Sequence, residues 1–157
     1  MPEQDFTDAI ALLKADHRKV EQLFAAFEEA KGASRKEALA KEICTELKVH
    51  TMLEEEIFYP ALEGKIEQDL LDEAYVEHDG AKKLIAEIEA MQPSDEFYDA
   101  KVKVLGEYIK HHVKEEEQPG GIFAQAKKGD EDLEAMGERL KARKEELMAE
   151  LGGKQPN

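Results

Sequence analysis

The chain has 157 residues, enough for one domain with a hydrophobic core of its own. Its formal net charge of −15 argues against DNA, RNA or an anionic membrane as a partner, because phosphate binding needs clustered lysine and arginine. The single cysteine, Cys44, excludes an intramolecular disulfide, and the apolar runs are far shorter than the roughly 20 residues that cross a bilayer. Since the acidic N-terminus also lacks the pattern of a secretory signal, we expect a cytoplasmic protein, either a monomer or a weak homodimer.

Apolar residues recur at spacings of three and four, which predicts helices and no strands. Five helices are predicted, at residues 6–30, 35–62, 66–91, 95–118 and 130–151. Ser34 is predicted to cap the second helix, with Glu37 as its capping-box partner, and Gly64 is predicted to end it. Gly80 lies inside the third helix, where glycine costs about 1 kcal/mol in helix propensity.

The connections between the predicted helices are short, so consecutive helices should pack antiparallel. The predicted fold is therefore all-α, an up-down-up-down four-helix bundle over residues 1–128 with an additional C-terminal helix at 129–151. This amphipathic helix should pack on the bundle, and the alternative is that it forms a dimerisation arm. Residues 152–157 are predicted to be a disordered tail.

The histidines form an internal repeat. A lone histidine on one helix is followed by a His-x-x-x-Glu pair on the next, and this arrangement occurs twice with nearly the same spacing. The two copies comprise His17, His50, Glu54, His78, His112 and Glu116. Two helical hairpins with the same ligand order can face each other across a pseudo-twofold axis of a bundle.

All six side chains fall in register with the apolar faces of their helices. On the second helix His50 and Glu54 lie one turn apart, between Leu47 and Ile57 on the same stripe. A buried carboxylate without a partner costs several kcal/mol, so such groups must be paired or bound to a cation. Facing helices that project carboxylates and histidines inward are the usual way in which bundles hold two metal ions. The repeat therefore predicts a dimetal site in the bundle core.

Simpler interpretations apply to single residues of the pattern and to the residues around it. One histidine alone is more often a core or surface residue than a ligand, and an isolated His-x-x-x-Glu is a common helical pair. Helix phase places four further carboxylates towards solvent, with Glu117 the best candidate for an extra ligand; they are Glu55, Glu56, Glu115 and Glu117. Glu21 and Glu46 are candidates to orient an imidazole, His111 is expected to be exposed or outside the ligand set, and Cys44 to pack in the core.

These motifs resemble the hemerythrin-like (HHE cation-binding) family, in its bacterial single-domain form. The resemblance covers about residues 8–125. The matching segments are Asp16-His17, His50-x-x-x-Glu54-Glu55, Ile57-Phe58-Tyr59-Pro60, Glu77-His78-Asp79, and His112-x-x-x-Glu116-Glu117 with Ile122-Phe123. Each motif is weak alone, and their combination is specific.

The resemblance implies a non-haem di-iron centre, oxo- or hydroxo-bridged, with O2, NO or hydrogen peroxide as its small-molecule partner. In it the four repeat histidines are terminal ligands, and Glu54 and Glu116 bridge the irons. Manganese or zinc could substitute for iron, whereas the absence of cysteine ligands argues against an iron–sulfur or structural zinc site. A peroxide- or NO-consuming oxidoreductase is one expectation, and an iron or oxygen sensor or a metal-storage module without turnover is the alternative.

The chain departs from the oxygen-carrying members of that family at Lys82, where they have a fifth histidine. Glu116 also lies four residues after His112, whereas their last carboxylate lies five after its histidine. Fewer protein ligands leave more open positions on two octahedral irons, which favours redox chemistry or sensing over reversible oxygen transport. Tyr59 and Tyr108 are candidates to complete the shell or to act as radical sinks, although core packing is the simpler role for both.

Overall fold

The computed structural model describes residues 8–151, and this part of the chain is helical without strands. The elements in order are α1 Ala9–Glu29, α2 Ala33–Leu53, a π-helical turn Glu54–Phe58, α3 Tyr59–Leu62, α4 Gln68–Glu89, α5 Tyr98–Glu117, α6 Ile122–Lys128 and α7 Leu133–Leu151. The helix α2, the π-helical turn and α3 follow one another without a break. The tail predicted to be disordered lies outside the described residues.

The predicted all-α bundle with an additional C-terminal helix is confirmed. The helix α1 packs against α2, and α4 packs against α5, so each half of the bundle is a helical hairpin. Contacts of α2 with α4 and of α1 with α5 join the two hairpins. Within residues 8–151, no helix combines the length and the apolar character that a membrane span requires.

The beginning of α2 differs from its prediction. The helix starts at Ala33, and Gly32 occupies the N-cap with φ +89°, so no side chain caps the helix end. Glycine adopts this backbone conformation without steric cost, and the chain therefore turns before Ser34 is reached. The predicted capping box of Ser34 and Glu37 is wrong because Ser34 lies inside the first turn. The short helix α6 was not predicted either.

The helix α7 lies on the bundle, against α1, α2 and the π-helical turn. Its apolar side chains Met136, Leu140 and Leu147 are buried in the same hydrophobic cluster as Leu12 and Leu13 of α1. This burial fixes one face of α7 on the first hairpin, so basic residues elsewhere on α7 come close to the acidic residues of α1 and of the π-helical turn.

Two hydrophobic clusters fill the bundle, and the six repeat residues form a polar layer between them. The Phe58 cluster includes Leu13, Leu53 and Ala74, and the Leu47 cluster includes Val20, Leu47 and Ala81. On α1, α2 and α4 the apolar residue about one turn before the histidine belongs to one cluster and the residue about one turn after it to the other. The histidines of these three helices therefore lie on the inward face, enclosed by apolar packing on both sides.

Candidate metal centre

The structure brings together all six residues of the histidine repeat. They come from α1, α2, the π-helical turn, α4 and α5, and all six are buried. Glu54 and Glu116 are 0% and 1% exposed, which is unusual for glutamate because burial of its charge is costly. The imidazole rings form two pairs, with 4.9 Å between the ring centroids of His17 and His50 and 5.0 Å between those of His78 and His112.

Each buried carboxylate faces both histidine pairs. Glu54 Oε2 lies 3.2 Å from His50 Nε2, and Glu54 Oε1 lies 2.9 Å from His78 Nε2. We name the region among His17, His50, Glu54 Oε2 and Glu116 Oε1 position one, and the region among His78, His112, Glu54 Oε1 and Glu116 Oε2 position two.

Glu116 repeats this arrangement from the opposite hairpin. Its Oε1 lies 3.2 Å from His17 Nε2, and its Oε2 lies 3.3 Å from His112 Nε2. Two carboxylates that each present one oxygen to either position have the geometry of bridging ligands. Potential donor atoms converge at both positions, with His17, His50, Glu54 and Glu116 at one and Glu54, His78 and His112 at the other.

Unpartnered buried atoms show that this layer fits metal ions. Among the described residues, the buried side-chain nitrogen and oxygen atoms without a hydrogen-bond partner are His17 Nε2, His50 Nε2, His112 Nε2, Glu54 Oε2 and Glu116 Oε1. All of them belong to the predicted ligand residues, and four of them surround position one. Since buried polar atoms in folded proteins are nearly always satisfied, these atoms are available to bind a ligand, and their donor set suits a divalent cation.

The other ring nitrogen of every candidate ligand histidine already has a carboxylate partner. Nδ1 of His17 lies 2.6 Å from Glu117, and Nδ1 of His50 lies 2.9 Å from Asp16. Nδ1 of His78 lies 2.8 Å from Glu55, and Nδ1 of His112 lies 2.5 Å from Glu77. Each carboxylate can accept the Nδ1–H, so in the neutral ring Nε2 carries the lone pair, which is the arrangement of metal-binding histidines.

These four carboxylates follow the same repeat as the histidines. Asp16 and Glu77 each precede a lone histidine, and each bonds the second histidine of its own hairpin. Glu55 and Glu117 directly follow Glu54 and Glu116, and each bonds the lone histidine of the other hairpin. The prediction that Glu55 and Glu117 face solvent is therefore wrong. Asp16 and Glu77 were not assigned a role, although their matching positions in the two copies were visible in the sequence.

The residues considered for orienting an imidazole have other partners. Glu46 pairs with Lys19 at 3.0 Å, and Glu21 pairs with Arg18 at 3.3 Å. His111 is 63% exposed and contacts Glu115 at 3.0 Å, as expected for a residue outside the ligand set.

Lys82 does not replace the missing histidine as a ligand. Its Nζ lies 2.8 Å from Glu55 Oε1, and Glu55 in turn bonds His78. Arg18 acts similarly in the other hairpin, with 2.7 Å between its Nη2 and Glu117. Both cations neutralise a carboxylate that holds a candidate ligand, and neither points its charge at the buried metal positions.

The π-helical turn places Tyr59 on the same helix face as Glu54. In an α-helix residues five apart diverge, whereas the wider π-helical turn brings them together. Pro60 lies two residues after the end of this turn, and because it has no backbone N–H it cannot donate an α-helical hydrogen bond. The Tyr59 hydroxyl lies 2.9 Å from Glu54 Oε1, also contacts Glu116 Oε2, and lies 3.4 Å from His78 Nε2. Tyr59 therefore contacts the carboxylates of both Glu54 and Glu116 on the side of position two.

A cavity of about 20 Å³ adjoins the four histidines on the side of the Leu47 cluster. Its apolar lining comprises Val20, Leu47, Ala81, Ile109 and Val113, and Tyr108 also contributes. A space of this size accommodates one water-sized molecule. A Cβ atom on Gly80 would overlap the Tyr108 hydroxyl, so a larger residue at this position of α4 would require the Tyr108 ring to shift.

The pKa values of the buried residues also indicate that positive charge stabilises this polar layer. Burial disfavours protonation of His50, but the Glu54 and Asp16 carboxylates outweigh it and raise its pKa to about 10. Burial favours the neutral form of Glu54, yet His50 and His112 hold its pKa well below its ordinary value. Burial together with Glu116 and Glu54 raises the pKa of Tyr59 well above its ordinary value, so this phenol stays neutral.

Metal-free protein is therefore expected to lose stability as the pH rises. The raised pKa of His50 gives stabilisation that is fully present below about 6.5 and lost as the pH approaches about 10. Thermal unfolding in the presence of a chelator should show a melting temperature that falls across this interval. Metal affinity should rise across the same interval, because the imidazoles release their protons on binding. A melting temperature that rises with pH in the metal-free protein would contradict this assignment of charge.

Comparison with known proteins gives consistent matches. The family model of the hemerythrin HHE cation-binding domain matches residues 8–119. A crystal structure of a hemerythrin HHE cation-binding domain-containing protein from Mycobacterium kansasii superposes with a TM-score of 0.77 at 26% identity, covering 94% of this chain and 93% of that one. A DNA nickase from Nostoc sp. is 27% identical over 144 residues, which are 90% of this chain and 40% of that protein.

The family match covers most of the chain and includes all six candidate ligands, and the structural match extends over the whole bundle. The resemblance inferred from the motifs is thereby confirmed. This chain belongs to the hemerythrin HHE cation-binding domain family.

Proposed function

We propose that this chain is a non-haem di-iron protein that binds or reacts with O2, NO or hydrogen peroxide at a carboxylate-bridged dimetal site. The observation that carries the proposal is the set of buried, unpartnered Nε2 and carboxylate oxygen atoms between the two histidine pairs. The family match supports cation binding at this place. Metal identity and reactivity are the further steps proposed here.

The donor chemistry favours iron. Imidazole nitrogen and carboxylate oxygen suit iron or manganese, and zinc is a possible substitute. Cys44 is excluded as a donor, because it is buried in the Leu47 cluster and burial raises its pKa to about 12. When bound, two irons would supply a redox-active centre with open coordination positions for a diatomic molecule or a peroxide.

The protein residues would bind, orient and shield that centre. Four histidines would bind through Nε2, with their Nδ1–H groups held by carboxylates, and Glu54 and Glu116 would bridge. Tyr59 holds a proton on its hydroxyl between the bridging carboxylates. The two hydrophobic clusters exclude bulk water, and the cavity limits access to one small molecule.

We propose a small molecule rather than a nucleic acid as the partner. This chain spans only 40% of the length of the Nostoc DNA nickase, so the activity in that protein's name does not transfer. The net charge of −15 also opposes binding to a phosphate backbone. The expected cytoplasmic location and the monomeric or weakly dimeric state stay predictions.

A sensor is the second candidate, and one observation favours it. Ion pairs connect the C-terminal helix α7 to residues around the metal positions, so metal occupancy could be reported at the surface of that helix. A sensor or a storage module would show a large metal-dependent stabilisation without turnover of any of the three small molecules.

Reaction of the iron-loaded protein with each small molecule tests the proposal. Protein loaded anaerobically with ferrous iron should react with O2, NO or hydrogen peroxide, with a change in the near-ultraviolet oxo-to-iron absorption and consumption of the reagent. Inactivity towards all three would contradict it. Iron-free protein carried through the same steps is the control.

Filling the cavity should slow access to the site without removing the metals. Ala81→Val adds two methyl groups to the cavity wall, and overpacking of this kind costs about 1–3 kcal/mol. We expect reaction or ligand binding to slow about tenfold, which corresponds to about 1.4 kcal/mol. Stopped-flow measurement of NO binding checks this.

The matched control is Ala74→Val. Ala74 is also buried on α4, but it belongs to the Phe58 cluster and does not line the cavity. Both variants should keep the metal content of the original protein. Equal slowing in the two variants would show that the cavity is not the path to the metals.

A further inference from the structure

A cation from α7 holds one of the four carboxylates that orient the candidate ligands. Lys144 Nζ lies 2.6 Å from Asp16 Oδ1, while Asp16 Oδ2 lies 2.9 Å from Nδ1 of His50. Asp16 is only 5% exposed, so Lys144 provides charge compensation for a buried carboxylate. The result is a continuous chain of contacts from α7 to the Nε2 atom of His50 at position one.

A second contact, from the preceding residue Arg143, holds α7 beside the turn that carries Glu54. Arg143 Nε lies 2.8 Å from Glu56 Oε1, and Glu56 belongs to the π-helical turn that starts at Glu54. Lys144 thus contacts a carboxylate that orients a position-one histidine, and Arg143 contacts the turn that carries Glu54, which faces both positions. Both lie beyond residues 8–119, the part of the chain that matches the family model.

Position two shows a different environment. Glu77, which orients His112, lies near His111, with 3.7 Å between His111 Nε2 and Glu77 Oε2. Glu55, which orients His78, is held by Lys82 from α4. Lys144 therefore contacts a carboxylate that orients a position-one histidine, whereas the partners described for the two carboxylates of position two lie outside α7.

We propose that Lys144 is a positioning residue of the metal centre, which fixes Asp16 and through it the orientation of His50. Docking of α7 and metal binding at position one then strengthen each other, because coupling between two equilibria is reciprocal. This inference rests on the proposed metal centre and extends it to a helix outside the matched family domain.

A purely structural ion pair would behave differently. If Lys144 only stabilised α7, its loss would lower the melting temperature and leave the relative metal affinities of the two positions unchanged. If Lys144 positions His50, its loss would weaken one of the two metal equivalents selectively. The distinction lies in affinity per position, which is measurable without any reaction of the loaded protein.

The experiment compares Lys144→Met with Lys144→Arg and Lys141→Met. Lys141 is exposed and lies one turn earlier on α7, so its variant loses the same charge away from Asp16. Metal-free proteins are titrated with Co²⁺, and binding at the two positions is followed by visible absorption. Amide hydrogen exchange of α7 is measured with and without Co²⁺, and circular dichroism verifies the helical content of each variant.

In the original protein we expect two Co²⁺ equivalents and greater protection of α7 after loading. Lys144→Arg should restore most of the affinity, and Lys141→Met should behave like the original protein.

Four results would overturn the inference. Unchanged affinities in Lys144→Met, or equal weakening of both equivalents, would leave Lys144 with a structural role only. A similar loss in Lys141→Met would show a nonspecific effect of charge. Failure of the original protein to bind any Co²⁺ would instead reject the metal centre itself, and this inference with it.

Discussion

Metal binding is expected to be lost in the double variant His50→Gln/His112→Gln, which removes one terminal ligand from each position. Loss of a group that merely orients a ligand weakens metal binding by about 10- to 100-fold, so loss of the ligand itself should exceed that range at both positions. Glutamine keeps a comparable volume and carries no imidazole nitrogen. Metal analysis of the purified variant, after loading under the conditions used for the original protein, checks this result.

The matched control for this variant is His111→Gln. His111 is adjacent to His112 in sequence but is 63% exposed, and it should be dispensable for both metals. The double variant leaves Glu54 and Glu116 buried with fewer partners, which costs about 3–5 kcal/mol for each broken pair. The single variants His50→Gln and His112→Gln cover the case in which the double variant does not fold, since each should lose one metal. Full metal content in all of these variants would contradict the ligand assignment.

Metal removal should cause the largest change in stability. A site that is bound only in the folded state stabilises it by about 4.1 kcal/mol when free metal exceeds Kd a thousandfold. Two such sites give about 8 kcal/mol, and about 2–4 °C per kcal/mol for a chain of this size predicts a shift of about 20 °C. Differential scanning calorimetry with and without metal measures this difference.

Metal removal lowers the stability because of the charge in the polar layer. Without metal, the buried carboxylates depend on protonated imidazoles, so the stabilising cation can be lost by deprotonation. The control is the double variant of His50 and His112, which should show a shift smaller than a quarter of the original one. A melting temperature that does not depend on metal would show that the buried atoms are satisfied in another way.

Helical periodicity accounts for what the sequence predicted correctly. Residues three and four apart share a helix face, so the apolar stripes define the bundle, and His-x-x-x-Glu places both side chains inward. The spacing of the two copies then identifies His17 and His78 as their counterparts on the neighbouring helices. This information is local or repeats along the chain, and both the fold and the assembly of the six side chains follow from it.

Features that depend on distances between helices could not be predicted in this way. The partners of Glu55 and Glu117 lie on the opposite hairpin, and helix phase alone placed both carboxylates in solvent. Lys144 contacts Asp16 across a sequence separation that no local pattern covers. The position of α7 on the first hairpin had to be known before this contact could be recognised.

The remaining differences between the predicted and the observed structure arise from local backbone conformation. The π-helical turn forms where Glu54 and Tyr59 meet on one face and where Pro60 interrupts the α-helical hydrogen bonds. The sequence contains Pro60 but does not show that the interruption widens the turn rather than ending the helix. At Ser34 a favourable capping sequence was overridden by Gly32, because glycine reached the required backbone conformation first.

Location of the metals in iron-loaded crystals tests the central claim most directly. Anomalous diffraction at the iron edge should show two peaks about 3.5 Å apart, between the His17–His50 pair and the His78–His112 pair, with Glu54 and Glu116 bridging them. A single peak, or peaks only at surface carboxylates such as those beside His111, would contradict the proposed dimetal centre.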